Sequence, residues 1–365
     1  MEVFNLPRAD QLDTMNLLLS AIANRENGVF EITNWKHLQT LVRTGIHEQF
    51  IKIGDLLKAN YRGKEEILEV IGINHDTPTD ESPHSLTIQF RDCLENVQFD
   101  APEALYYASS AMAPGVKVFE IDSGKYEFTT TVEIPEGGVV YLYAWTDPYT
   151  PTRARIYGAD RVTILEDDIT VSVSTGSANL SPVNHQQRCR YGSNNYLESN
   201  IRQWLNSDRE TFQWVPQTNF DMPGTSAAYN GGGFLNIIDP DIAAVLGAVD
   251  KQVGRNTVTD DGGQDTFSDK VFLLSQVEVY GGTGSVGDVT GEEPYEYYEK
   301  LAAGPTTDDA IPGRIKLLSG APRRWWLRSP YVSNAYSTRD VGGSGIVGSS
   351  SATSAIGLAP ACVII

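Results

Sequence analysis

The chain has 365 residues, 41% hydrophobic and 21% charged, the balance of an ordinary soluble globular protein with room for two or three domains. Its formal charge of −19 argues against nucleic acid and anionic membrane surfaces, since both require clustered Lys and Arg and no such stripe is present. No apolar run approaches a membrane span, and the opening MEVFNLPRADQ lacks a signal-peptide pattern, so synthesis in the cytoplasm is expected.

In chain order, residues 1–48 read as two helices. Leu12, Met15, Leu18, Leu19 and Ile22 fall at helical spacing, as do Trp35, Leu38, Leu41, Val42 and Ile46, with Thr33-Asn34 as a cap before the second set. Such a pair serves attachment or oligomerisation, or packs onto its own domain. From residue 49 the pattern turns to strands (FIKIGDLLKANY, EILEVIGINHD, SLTIQFRDCL). Residues 101–182 alternate short strands with turns such as Pro135-Glu136-Gly137-Gly138, which predicts an inserted all-β sandwich closed by the linker STGSANLSP. Beyond it, 194–206 predicts a helix with Leu197, Ile201, Trp204 and Leu205 on one face. Asp239-Pro240-Asp241 caps a second helix carrying Ile242, Val245, Leu246 and Val249. Residues 270–280 (KVFLLSQVEVY) read as a strand and 295–301 as a short helix.

Several constellations invite chemistry and are weighed on spacing. Cys93, Cys189 and Cys362 form neither a disulfide framework nor a Cys-x-x-Cys pair, so buried free thiols are expected. Residues 282–287 match G-x-G-x-x-G, but no helix pattern follows, so a loop is expected rather than a dinucleotide site. Asp260, Asp261, Asp265 and Asp269 could offer oxygen ligands to calcium, though their spacing departs from an EF-hand and a solvated turn is the plainer reading. No other cofactor and no metal is expected. His75, Asp76 and His84 sit in a polar hairpin expected to be exposed. No G-x-S-x-G, no H-E-x-x-H and no Cys–His pattern is present, so no catalytic residue is assigned.

The last segment is the most informative. The frame RRWWLRSP (323–330) opens it, the frame GLAPACVII (357–365) closes it, and 331–356 between them is almost all small or polar. That stretch has no Lys, Glu, Gln, Met or Trp, where composition predicts about four. Every residue in it can be reached from an Asn codon by changing its two adenines. Flexible linkers are also rich in Gly and Ser. A linker, however, would not begin with two adjacent tryptophans and end in an apolar run suited to a buried terminal strand.

Taken with Arg190-Tyr191-Gly192-Ser193-Asn194, with 201–207 (IRQWLNS) and with 268–275 (SDKVFLLS), these frames resemble a large uncharacterised domain family of gut bacteria and their phages with a C-type-lectin-like fold. The resemblance covers about two thirds of the chain. It implies an α+β fold: a discontinuous lectin-like domain at 49–100 and 183–365, the sandwich at 101–182 inserted in it, and a short helical segment at 1–48. Some such proteins are diversified by retroelements that mutate adenines, and in architecture the chain is similar to phage receptor-binding tip proteins. The implied function is non-catalytic binding with changeable specificity, the alternative being a structural head or tail decoration. The implied partners are a bacterial cell-surface protein or glycan, other virion proteins and further copies of the chain, a trimer being common in phage tips of similar design. The implied location is the virion.

The expected ligand-facing positions are Tyr331, Val332, Ser333, Asn334, Ala335, Tyr336, Ser337, Thr338, Asp340, Gly342, Gly343, Ser344, Gly348, Ser349, Ser350, Ser351, Thr353, Ser354, Ala355 and Ile356. Tyr331 and Tyr336 are the expected anchors, since tyrosine gives large amphipathic area at low entropic cost. The expected scaffold is Trp204, Trp325, Trp326, Arg328, Pro330, Gly357 and Pro360, with the Arg328 guanidinium tying loop carbonyls and the prolines limiting the backbone.

Overall fold

The computed structural model describes residues 29–30, 34–101, 103–121, 124–143, 152–160, 163–175, 191–210, 229, 231–281, 289–300 and 312–365. The C-terminal run explains the largest sheet. Ala361–Ile364 is buried throughout and lies inside a seven-stranded sheet, paired on one side with Leu86–Phe90 and on the other with Leu246–Gly247 and Val271–Phe272. Leu86–Phe90 passes the sheet on to Lys64–Ile73, Leu56–Tyr61 and Val29–Phe30. A strand buried on both faces reads as a continuous apolar run, as this one does.

A five-stranded sheet carries the segment singled out by composition. Its order is Val347–Ser351, Ser337–Val341, Trp325–Pro330, Ile356–Gly357 and Asn96–Val97. Strand alternation sends Trp325 and Leu327 to one core cluster and Trp326 to another. The sheet is therefore fixed from both sides.

The expected α+β class is corrected: the protein is predominantly β. Of the described residues, 40% lie in strands and 16% in helices, and the sheets are curled and antiparallel except where Val29–Phe30 meets Leu56–Tyr61 and Trp325–Pro330 meets Ile356–Gly357. The longest helix among them, Trp35–Arg43, has nine residues, and the others have four to six. The periodicities over-predicted helix because a short stripe of buried residues suits either element. The expected 194–206 helix is only Asn200–Leu205, and the one after Asp239 stops at Ala243, giving way to strands that carry Leu246 and Val249. The opposite error occurs at 270–280. Val271–Phe272 is a strand, but Ser275 and Glu278 form a reciprocal capping box that starts the helix Gln276–Tyr280.

The helix Trp35–Arg43 is capped by the Asn34 side chain, and Trp35, Leu38 and Val42 join the main core. Gln39 Nε2 donates to the carbonyl of Ile365 at 2.7 Å, tying this helix to the C-terminal residue. The first expected helix, with Leu12 to Ile22 on its stripe, lies outside the described residues. Residues 103–175 form a four-stranded and a three-stranded sheet around a cluster of their own, including Phe119, Phe128, Val140, Leu142 and Ile156. No helix among the described residues is long and apolar enough to cross a membrane.

Candidate ligand-facing site

The frame beneath the segment is buried. Trp325, Trp326 and Trp204 are fully buried, and their indole N–H groups donate to the carbonyls of Arg314, Val97 and Gly232 at 2.9, 2.9 and 3.0 Å. Pro330 and Pro360 are buried, and the Pro360 carbonyl accepts from Phe90 N at 3.1 Å. At Gly357 a Cβ would stand 2.5 Å from Cys93 Sγ and 2.8 Å from the Arg324 carbonyl, so the strand passes too closely for any side chain.

Arg328 is the centre of a buried charge cluster. Its guanidinium donates to the carbonyls of Gln252 (2.9 Å) and Leu273 (2.6 Å), to Glu278 (2.7 Å) and to Glu292. Lys251 pairs with Glu278 and, at 2.6 Å, with Asp76, which also accepts from the Tyr295 hydroxyl. Burial alone would push the Glu278 carboxyl up, but Arg328 and then Lys251 outweigh it and hold it at about 2. At Glu292 burial prevails over Arg328, and the carboxyl is raised from its ordinary value. The cluster sits behind the segment rather than on it.

On this frame the 331–337 turn is held chiefly by its main chain. Asn194 Nδ2 donates to the carbonyls of Asn334 (2.8 Å), Ser337 (2.9 Å) and Tyr331 (3.4 Å), while Asn194 N donates to the Ala335 carbonyl at 3.1 Å. Thr257 donates to the Val332 carbonyl from both N (2.9 Å) and Oγ1 (3.0 Å). Ala352 N donates to the Tyr336 carbonyl at 2.8 Å. Asn256 Nδ2 donates to Asn194 Oδ1 at 2.9 Å, orienting the amide that grips the turn. Within the turn, Asn334 Oδ1 accepts from Tyr336 N and Ser337 N at 3.1 and 2.7 Å.

The twenty expected positions do not make one face. Val332, Ala335, Ser337, Thr338, Asp340, Gly342, Thr353 and Ile356 are buried. Ser333, Ser344, Ser349 and Ala355 are exposed, and Tyr331, Asn334, Tyr336, Gly343, Gly348, Ser350, Ser351 and Ser354 are half-buried. The hairpin register separates them further. Ser337 pairs with Ser351 at one end and Val341 with Val347 at the other, so the 342–346 turn lies about 14 Å from the 331–337 turn. That far turn is closed by Gly342 N donating to the Ile346 carbonyl at 2.7 Å, and the Tyr280 hydroxyl donates to Gly345 O at 3.0 Å. Gly348 is constrained as well, since a Cβ there would meet Asp340 Oδ1 at 2.6 Å. Asp340 itself is buried, accepts from Ser350 Oγ (2.8 Å) and pairs with Arg324 (3.1 Å); burial, only partly offset by Ser350 and Arg324, raises its carboxyl.

The end that does come together contains Tyr331, Ser333, Asn334, Tyr336, Ser351 and Ser354. Three contributors lie outside the expected positions. Tyr191 lies 5.1 Å from the Tyr336 ring, Arg339 stacks 4.5 Å over Tyr331, and Asn194 supplies the grip. Tyr191 and Asn194 were visible as the RYGSN motif, whose Gly192 takes φ +78° and would press a Cβ onto Asp100 O and Ala352.

The other candidates disperse. Asp265 pairs with Arg255, Asp269 with Arg202, and Asp260 accepts from Asn256. No group of three His, Cys, Asp or Glu side chains that could hold a metal occurs among the described residues. His84 pairs with Glu48 and His75 stacks on Tyr295, while Asp76, expected in an exposed hairpin, is buried. Cys93 and Cys362 are buried free thiols, each pushed up to about 12 by burial. Cys189 and the G-x-G-x-x-G run at 282–287 lie outside the described residues.

Fold and site together define a β-rich protein in which a buried, charge-locked frame presents a turn gripped by its backbone. A family model described as "Domain of unknown function (DUF6273)" matches residues 159–365, more than half of the chain, and the protein belongs to that family. The match includes the RYGSN motif and both C-terminal frames, and it begins within the strands of the 103–175 unit. No curated protein and no solved structure matches the chain.

Proposed function

We propose that this chain is a non-catalytic receptor-binding or display protein of a phage or prophage, carried in the virion, whose 331–356 segment is diversified by a retroelement to bind changing cell-surface ligands. One observation carries the reading. Trp325–Pro330 and 357–365 are buried without exception, whereas side chains at 331, 333, 336, 344, 349, 351, 354 and 355 reach solvent from the segment between them. Tyrosines for area and serines for adaptable hydrogen bonds are the chemistry of a surface that must fit many partners. The ligands are bacterial surface proteins or glycans, and several copies in an oligomer raise the avidity of a modest single site.

The test is binding of the purified protein to a panel of gut bacterial cells and surface glycans. A second version carries the solvent-reaching positions replaced by other residues reachable from Asn codons. Unchanged folding with altered target preference is the expected result. Identical binding by both versions would sink the reading and leave a structural head or tail decoration. The coding DNA gives an independent check, since only diversification requires a nearby repeat differing at adenines.

A further inference from the structure

We propose that Asn194, braced by Asn256, together with Thr257, forms a positioning clamp that fixes the 331–337 turn through its main chain, leaving Tyr331, Ser333 and Tyr336 free to set specificity. The assignment rests on the binding reading above, but its geometry stands by itself. Six carbonyls of the turn, those of Tyr331, Val332, Asn334, Ala335, Tyr336 and Ser337, have named donors. For five of them at least one donor lies outside 331–356, the sixth, Tyr336 O, accepts from Ala352 N, and Ser337 O also accepts from Tyr331 N. Asn194 reaches three of these carbonyls with one amide group. Its two hydrogens are shared among three acceptors, so the 3.4 Å bond to Tyr331 is the weakest member.

The clamp is itself held from the rear. Asn256 donates to Asn194 Oδ1 and to Asp260, and its own Oδ1 accepts from Val258 N and Thr259 N at 2.9 and 2.8 Å. Both asparagines are fully buried. An amide is the side chain this position needs, because the Oδ1 must accept from Asn256 while the Nδ2 donates to carbonyls. An aspartate would place an anion against three carbonyl oxygens. The same geometry divides the segment. Asn334 belongs with the clamp, since its Oδ1 closes the turn from within, whereas the side chains of Tyr331, Ser333 and Tyr336 make none of these hydrogen bonds.

Amide hydrogen exchange across the turn, read on the whole protein, tests the clamp without any ligand. N194D is expected to speed exchange at Tyr331, Asn334, Tyr336 and Ser337 by about tenfold or more, because the lost donors leave buried acceptors facing a charge. T257V removes only the Oγ1 bond and is expected to give a smaller acceleration in the same amides; it keeps the test decisive if N194D does not fold. The triple variant Y331S/S333Y/Y336S is expected to leave exchange in the turn slow, with the thermal midpoint lowered only by loss of the Tyr336–Tyr191 and Tyr331–Arg339 ring contacts. Acceleration in the triple variant as large as in N194D would overturn the clamp, as would unchanged exchange in both N194D and T257V. The ligand panel reports separately: a protected turn in the triple variant with no change of target would retain the clamp and sink the receptor-binding reading.

Discussion

Arg328 decides more than its own position. Three carboxylates (Asp76, Glu278, Glu292) and two cations (Lys251, Arg328) share one buried volume, so any cation removed leaves charge without compensation. Removing one partner of a buried pair typically costs about 3–5 kcal/mol. R328L should therefore destabilise the protein by that order in urea unfolding at neutral pH. The carboxyls also set a pH dependence whose sign follows from their shifts. Glu278 is held below its ordinary value, so its contribution is complete above about pH 4.5 and is lost as pH falls toward about 2. Glu292 is shifted the other way, and its contribution is lost as pH rises through its raised value. Unfolding midpoints of E278Q compared with the natural protein between pH 5 and 2 should show the acid-side slope flattened. An unchanged slope would mean that other carboxylates carry the acid sensitivity.

At the scale of elements, the sequence announced the terminal strand and the two tryptophans because burial on both faces leaves an uninterrupted apolar signature. It did not announce that 270–280 changes from strand to helix at Ser275, although the Ser275-x-x-Glu278 spacing was there to be read. Nor could composition separate the ligand-facing positions, since Thr338 and Ser349 are equally small and polar. Their difference lies in depth: Thr338 is buried in an inner strand, and Ser349 is exposed on the edge strand. Codon logic and burial are independent of each other, which is why eight expected contact residues lie inside. The same sheet supplies a test of frame against edge. G357A must displace either Cys93 or the Arg324 backbone, and overpacking of this kind costs about 1–3 kcal/mol. S349A, on the edge strand, should fall within about 0.5 kcal/mol of neutral. Comparable losses in thermal unfolding for both would show that the edge strand is as constrained as the frame.

At the scale of the molecule, charge and packing divide the chain differently from its sequence order. Residues 312–365 hold six Lys or Arg against the single acid Asp340, so the remaining 311 residues carry −24 of formal charge. The acidic body disfavours polyanions in general. Packing draws a second line around 103–175. Phe119, Phe128, Val140, Leu142 and Ile156 fill a cluster that shares no residue with the two clusters under the C-terminal segment. Both of its sheets are built from strands of the unit itself, so the pairings it needs are made within its own length. A unit with its own core and its own pairings should fold by itself, and residues 101–182 expressed alone should unfold cooperatively in far-ultraviolet circular dichroism. In the full chain, F128A, by removing a ring that is 3% exposed, should lower the stability of this unit by about 3–5 kcal/mol. Exchange in the 325–330 strand should then stay as slow as before. Loss of protection there together with the sandwich would mean that the two cores melt as one, and that the insertion supports the C-terminal sheet rather than riding beside it.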